Sequence, residues 1–285
     1  MEIERSYVGA IRPDWAEGTY ASANEAWENL YYCLNTDGDE SSPRGMKVRE
    51  TLGCNIIIVN PKDNLVYSEA RKLSPYYLAG EYFWYKSGSN NWESIYNHSK
   101  FWKKIANEDG TVNSNYGKYV FKEGQWDKIV ETLKNDPDSR QAVLQIPIPE
   151  NFGTKDVPCT SSVQFLVRDG KLFCTTYMRS CDIWLGFPYD IFQFTMWQIE
   201  LAKELGVELG WYRHVVGSLH VYEKQFSEKL FENGRVPSTR IKEDCCDRTS
   251  KEFMNDLVIL DSKCFPQHNK VLKFMTRNYE EGKTI

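Results

Sequence analysis

The chain has 285 residues, a formal net charge of −5, and 41% hydrophobic and 14% aromatic content. That is enough apolar mass for one large domain or two ordinary ones with a substantial core. The charges are mixed throughout, which excludes a basic stripe for duplex nucleic acid, and no run approaches the roughly 18 apolar residues of a membrane span. The first stretch, "MEIERSYVGAIRPDW", lacks the apolar centre of a secretory leader, and eight cysteines without such a leader fit reduced thiols. A soluble cytoplasmic protein that binds neither DNA nor membrane is expected.

Along the chain, "NTDGDESSPRGMKVRE" (Asn35 to Glu50) is polar and punctuated by Gly and Pro, which predicts a mobile loop carrying three basic residues. "NIIIVN" reads as a buried strand ended by Pro61. "SPYYLAGEYFWYKSG" begins with a Ser-Pro helix start and stops at a glycine, with Glu81 as its one carboxylate. "QWDKIVETLKNDPDSR" sets Trp126, Ile129, Val130 and Leu133 at helical spacing and breaks at Asp136-Pro137. "QAVLQIPI", "SSVQFLVRDGKLFCTTYMRS" and "RHVVGSLHVY" are β-like, the middle one a hairpin turning at Arg168-Asp169-Gly170-Lys171. "FPYDIFQFTMWQIELAKELGV" is apolar nearly all round, the mark of a helix at the centre of a fold. No linker splits the chain, so residues 1–285 read as one mixed α/β domain.

The chemistry centres on Cys159, which follows Pro158 at the start of the hairpin. Cys54, Cys174 and Cys181 lie in or beside apolar strands, where a thiol acts as a small hydrophobe. Cys245-Cys246 with Cys264 and His268 would be the zinc candidate, but adjacent cysteines are poor ligand spacing, and no metal is predicted. Arg179, across the hairpin from Cys159, is placed to lower a thiol pKa or to grip a phosphate. Asp190 opens the apolar helix, either as its N-cap or as a functional carboxylate. His220 and Tyr222 alternate on the last strand and share a face.

"NDPDSR", "DVPCTSSVQFLVRDGKLFCTTYMRSCDIWLGFPYDI" and "VGSLHVY" resemble, in order and spacing, the signature segments of the thymidylate synthase family. Weaker similarity runs from about Arg44 to Tyr222. The resemblance implies a large twisted mixed sheet with surrounding helices, a homodimer formed through that sheet, and 5,10-methylenetetrahydrofolate as co-substrate. It implies that Cys159 is the nucleophile adding to C6 of a pyrimidine nucleoside monophosphate. Arg179 and Ser180 match the phosphate clamp, with Arg140 reaching in from the partner subunit and Arg44 as the remaining phosphate arginine. Glu81 matches a buried glutamate that organises protons at the base, and Tyr116 of "NSNYG" a tyrosine near the thiol. Trp102, Asp182 and Gly186 match the folate side, and His220 and Tyr222 the contacts to the sugar hydroxyl.

Departures from the pattern bear on the substrate. Where synthases acting on deoxyuridylate carry asparagine, this chain has Asp190. An asparagine amide suits uracil's N3–H and O4, whereas an ionised aspartate accepts from the amino group of cytosine. Thr160 stands where a histidine is usual, Met178 where a glutamine is, and Gln141 where a second arginine is. In these respects the chain is similar to the phage branch of the family that hydroxymethylates deoxycytidylate. The implied reaction joins dCMP, methylenetetrahydrofolate and water into 5-hydroxymethyl-dCMP and tetrahydrofolate. The alternatives are a CMP hydroxymethylase, a cytidylate methylase ending in hydride transfer, and a non-catalytic nucleotide- or RNA-binding relative. The expected setting is a bacterial or phage-infected cytoplasm.

Overall fold

The hairpin expected around Asp169-Gly170 forms the middle of a seven-stranded sheet. The structure, a computed structural model, describes residues 13–226 apart from Tyr67, Glu69, Ala70 and Lys72. The strands are β1 (Glu17–Tyr20), β2 (Asp39–Ser41), β3 (Val48–Ile58), β4 (Val143–Gln145), β5 (Thr160–Arg168), β6 (Lys171–Asp182) and β7 (Glu208–Tyr222). They lie in the order β1-β3-β7-β6-β5-β4, with β2 paired to β3. The β1–β3 and β6–β7 pairs are parallel and the others antiparallel, so the expected mixed sheet is present. Cys245, Cys246, Cys264, His268 and the "EEGKTI" tail lie outside the described residues.

Five α-helices accompany the described strands: α1 (Ala23–Asp37), α2 (Pro75–Ser87), α3 (Phe101–Ile105), α4 (Gln125–Asn135) and α5 (Phe187–Leu205). Ser74 caps α2 by accepting from the Tyr77 N–H, and Gly88 ends it at φ 64°. The apolar helix α5 is the core of the molecule, with Phe187, Ile191, Phe192, Phe194, Trp197 and Leu201 fully buried. Helix α1 is not among the expected elements, although its signals are in the sequence. Trp27, Leu30, Tyr31 and Leu34 recur at helical spacing and are buried. Its start is capped: Ser22 Oγ accepts from Glu25 N, and Glu25 Oε2 reaches back to accept from Ala21 N, one residue before the cap.

The loop expected over Asn35 to Glu50 is mostly ordered secondary structure. Its start closes α1, Asp39–Ser41 is β2, and β3 begins at Val48. Polar composition misled here because this end of β3 is a partly exposed strand, whose Arg49 and Glu50 bond to the Asn35 carbonyl and to Ser218. The irregular remainder turns at Arg44 (φ 55°) and Gly45 (φ 77°).

One feature of the sheet positions the site. Burial alternates along β3, β6 and β7 and then slips by one residue at the same level in all three. Buried positions pass from Cys54 to Thr51, from Met178 to Cys181 and from Val216 to Leu219. Glycine makes the slip possible on two strands. Gly53 takes φ 71°, and a Cβ on Gly217 would meet the Arg179 carbonyl oxygen at 2.8 Å. Beyond the slip, Cys181 is buried and Asp182 stands opposite His220, at the end of the sheet where α5 begins.

Candidate active site

Cys159 sits immediately before β5, and its carbonyl accepts from the Arg179 backbone N–H at 2.8 Å. The Arg179 side chain folds back along the same segment. Its Nε donates to the Pro158 carbonyl at 3.0 Å and its Nη2 to the Val157 carbonyl at 2.8 Å. Those two bonds fix the guanidinium beside the thiol and leave further N–H donors for a ligand. The expected effect on the thiol is not what results. Burial pushes the Cys159 thiol up to about 11, and the opposing charges of Arg179 and Arg44 do not offset it, while Asp190 and Asp156 add to the rise. In the free protein the nucleophile candidate is therefore a protonated thiol.

Asp156, absent from the residues singled out in the sequence, ties this strand to the "NSNYG" loop. It is buried, accepts from the Ser114 N–H at 2.7 Å, and binds the Ser114 hydroxyl with its other oxygen. Asn113 donates to the Asp156 carbonyl at 2.9 Å. That stitch brings Tyr116 against Cys159: its hydroxyl oxygen lies 3.4 Å from the Thr160 amide, and its ring packs between Tyr85 and Phe194. Burial raises the Tyr116 hydroxyl well above 10, with Cys159 and Asp190 adding to it.

Glu81 faces this group from α2 with only 4% of its surface exposed. Tyr77, one helical turn earlier, donates its hydroxyl to Glu81 Oε1 at 2.7 Å. Trp102 Nε1 in turn donates to the Tyr77 oxygen at 3.0 Å. Gln193, on α5, presents its Nε2 at 3.5 Å from Glu81 Oε2. Desolvation pushes Glu81 up to about 7 despite these hydrogen bonds. Tyr77 and Gln193 were legible only through helical spacing, four residues before Glu81 and three after Asp190.

Asp190 lies in the first turn of α5 but does not cap it. Gly186 holds the N-cap position and no side chain caps that end. The carboxyl instead receives the Cys181 thiol at 3.8 Å, and burial together with Glu81 raises its pKa well above 3.8. That shift favours the protonated form, whereas the expectation was an ionised acceptor. Gly186 is needed beside it: a Cβ there would stand 3.1 Å from Asp190 Oδ2 and 3.2 Å from the Asp182 carbonyl.

Asp182 has a structural duty as well as an open one. Its Oδ1 accepts from the Trp184 and Leu185 amides at 2.8 and 2.9 Å, while Oδ2 is buried without a partner among the described residues. Arg71, also unforeseen, acts on Asp182, bonds the Trp184 carbonyl and lies over the Tyr189 ring. His220 and Tyr222 meet ring edge to ring face at 5.2 Å. Arg44 bonds to the Tyr222 hydroxyl and acts on the Cys159 thiol, so it belongs to the site. Ser180 pairs with Ser218 between β6 and β7. Arg140 is not brought in by its own chain: it stands exposed on the segment before β4.

Comparison with known proteins bears on this arrangement. A family model described as thymidylate synthase matches residues 28–268. A deoxyuridylate hydroxymethyltransferase of Bacillus phage SP01 is 29% identical over 215 residues, covering 69% of this chain. A thymidylate synthase of Clostridium beijerinckii is 34% identical over 148 residues, 51% of this chain. The matched regions span 56% of the length of each relative.

The buried carboxyl makes a testable demand on stability. Glu81 is raised from 4.5 to about 7, so its stabilising neutral form is complete below 4.5 and is lost as pH climbs through 7. Across that window wild type should lose stability relative to Glu81→Gln, by on the order of 3 kcal/mol at 1.36 kcal/mol per unit. Urea unfolding of both proteins from pH 4.5 to 8 checks this, and parallel curves would contradict it.

Proposed function

We propose that this chain, which belongs to the thymidylate synthase family, is a folate-dependent 5-hydroxymethylase of cytidylate, with dCMP as substrate. The reaction would join dCMP, 5,10-methylenetetrahydrofolate and water to give 5-hydroxymethyl-dCMP and tetrahydrofolate. The observation that carries the base preference is Asp190: a carboxyl where an amide would suit uracil, free of capping duty, enclosed with Glu81.

Burial holds the carboxyl's pKa well above 3.8, and in its protonated form counting donors and acceptors no longer separates the bases. A neutral acid offers one of each, and so matches either ring. Proton affinity separates them. Cytosine N3 is a base, so Asp190 can accept from the amino group while passing its proton to N3 as charge develops there. Uracil N3 already carries hydrogen, and its O4 is a far weaker base. An amide donates a hydrogen bond but transfers no proton, which is why the carboxyl favours cytidylate.

The remaining roles follow from the geometry. Arg179 and Arg44 would hold the phosphate near Cys159, Ser180 would join them, and the partner subunit's Arg140 would complete the clamp. Burial keeps the Cys159 thiol protonated until a substrate occupies the site; loss of that proton yields the thiolate that adds to C6 and makes C5 nucleophilic. C5 takes the methylene from the folate, which Trp102, Asp182 and Gly186 would face. Glu81 and Tyr116 would then move protons at C5 and at the departing group. His220 and Tyr222 would meet the sugar. The relative named for deoxyuridylate favours a second reading, the same chemistry on dUMP.

Asp190→Asn decides between these readings. Loss of the transferable proton should lower kcat/KM for dCMP and shift the dUMP-to-dCMP ratio upward at least about tenfold, the size of one mispaired buried hydrogen bond. An unchanged ratio in a folded variant would overturn the cytidylate assignment.

The second proposal is a homodimer that shares its sites, built on the sheet face where Ile57, Leu166, Tyr177, Trp211 and Val215 are only partly covered. Mixing inactive Arg140→Ala and Cys159→Ser subunits should regenerate activity, since one hybrid site keeps both residues. No recovery after verified subunit exchange would count against shared sites.

A further inference from the structure

We propose that Gln193 is the positioning residue for the water of the hydroxymethyl-forming step, its side-chain carbonyl and the second oxygen of Glu81 serving as the two acceptors. This rests on the reading of the chain as a hydroxymethylase. Gln193 lies on α5 three residues beyond Asp190, on the same helical face, and is 1% exposed. Its Nε2 faces two oxygens, the Leu78 carbonyl at 3.3 Å and Glu81 Oε2 at 3.5 Å. That fixes the amide's orientation, because the flipped form would set oxygen against oxygen. Oε1 is then buried with no partner among the described residues.

A buried amide carbonyl without a partner costs about 1–3 kcal/mol, so such groups in native proteins are normally met by water or ligand. Glu81 is asymmetric in a matching way. Its Oε1 is held at 2.7 Å by Tyr77, which Trp102 fixes in turn, while Oε2 has the long contact to Gln193, and Tyr85 also acts on the carboxyl. One carboxyl oxygen and one amide oxygen therefore belong to two side chains in contact, Glu81 and Gln193. A water donating one hydrogen to each keeps a lone pair free for attack.

In the step itself, the water oxygen bonds to the exocyclic methylene carbon left after tetrahydrofolate departs. The methylene π pair moves into the ring toward N3, and one water proton passes to Glu81 Oε2. The ring pair then returns to form the C5–C6 double bond as the C6–S bond breaks, which frees Cys159 as thiolate. No external oxidant or reductant enters, which separates this ending from hydride transfer.

The test is a single-turnover reaction of wild type and Gln193→Met with methylenetetrahydrofolate, C5-tritiated dCMP and 2-mercaptoethanol as a competing nucleophile. Tritium leaves before water adds, so the variant should release it within about threefold of wild type. Its hydroxymethyl product should fall at least about tenfold, one well-placed hydrogen bond in a rate, while the thiol-trapped product appears. A proportional slowing of both steps is what a merely structural role gives, and it would overturn the proposal, as would an unchanged product ratio. If wild type itself yields no hydroxymethyl product, the functional reading falls and this inference with it. Should Gln193→Met not fold, Gln193→Asn withdraws the same carbonyl by one methylene and carries the same expected split.

Discussion

Two carboxyl groups, Glu81 on α2 and Asp190 on α5, are enclosed in one site, and their desolvation dominates everything around them. Burial disfavours the charged form of each, and Glu81 raises Asp190 further. The site accordingly holds protons that most carboxyls give up. Glu81, pushed up to about 7, can take or give a proton near neutrality, and Asp190 is shifted toward its protonated form. The same desolvation holds Cys159 as a thiol despite its two arginines. A free protein with its nucleophile masked in this way is suited to wait for a substrate.

The fold supplies this enclosure through its longest elements. Helix α5 runs through the core and brings Asp190 and Gln193 to one side, while the capped helix α2 brings Tyr77 and Glu81 against them. The shared slip in β3, β6 and β7 changes which residues point inward at the end of the sheet, and Cys181 reaches Asp190 from there. The Asp156–Ser114 stitch closes the other flank by setting Tyr116 over the Cys159 strand. Trp102, Tyr77 and Glu81 form one hydrogen-bonded line, so a ligand resting on Trp102 is linked directly to the proton-holding group.

Much of this was legible in the chain because long apolar patterns are hard to misread. The α5 segment, the hairpin and the "VGSLHVY" strand fold as their periodicity demands. The quoted motifs led to Cys159, Arg179, Glu81, Tyr116 and Asp190. What escaped was set by partners distant in sequence. Polar composition hid the start of β3, whose Glu50 is satisfied by Ser218. The thiol's direction of shift depends on how deeply Cys159 is buried, which an adjacent arginine in the sequence cannot reveal. Whether Asp190 caps α5 turned on backbone geometry at Gly186. Asp156 and Arg71 matter through contacts with Ser114 and Trp184, and no spacing rule announces those.

The central claim is that water, not hydride, completes one-carbon transfer to cytidylate. Mass analysis of products from dCMP, CMP and dUMP, each incubated with methylenetetrahydrofolate in oxygen-18 water, tests it most directly. The account predicts a hydroxymethyl product from dCMP that carries the heavy oxygen, with little from CMP or dUMP. A product bearing a methyl group, or turnover confined to dUMP, would contradict it.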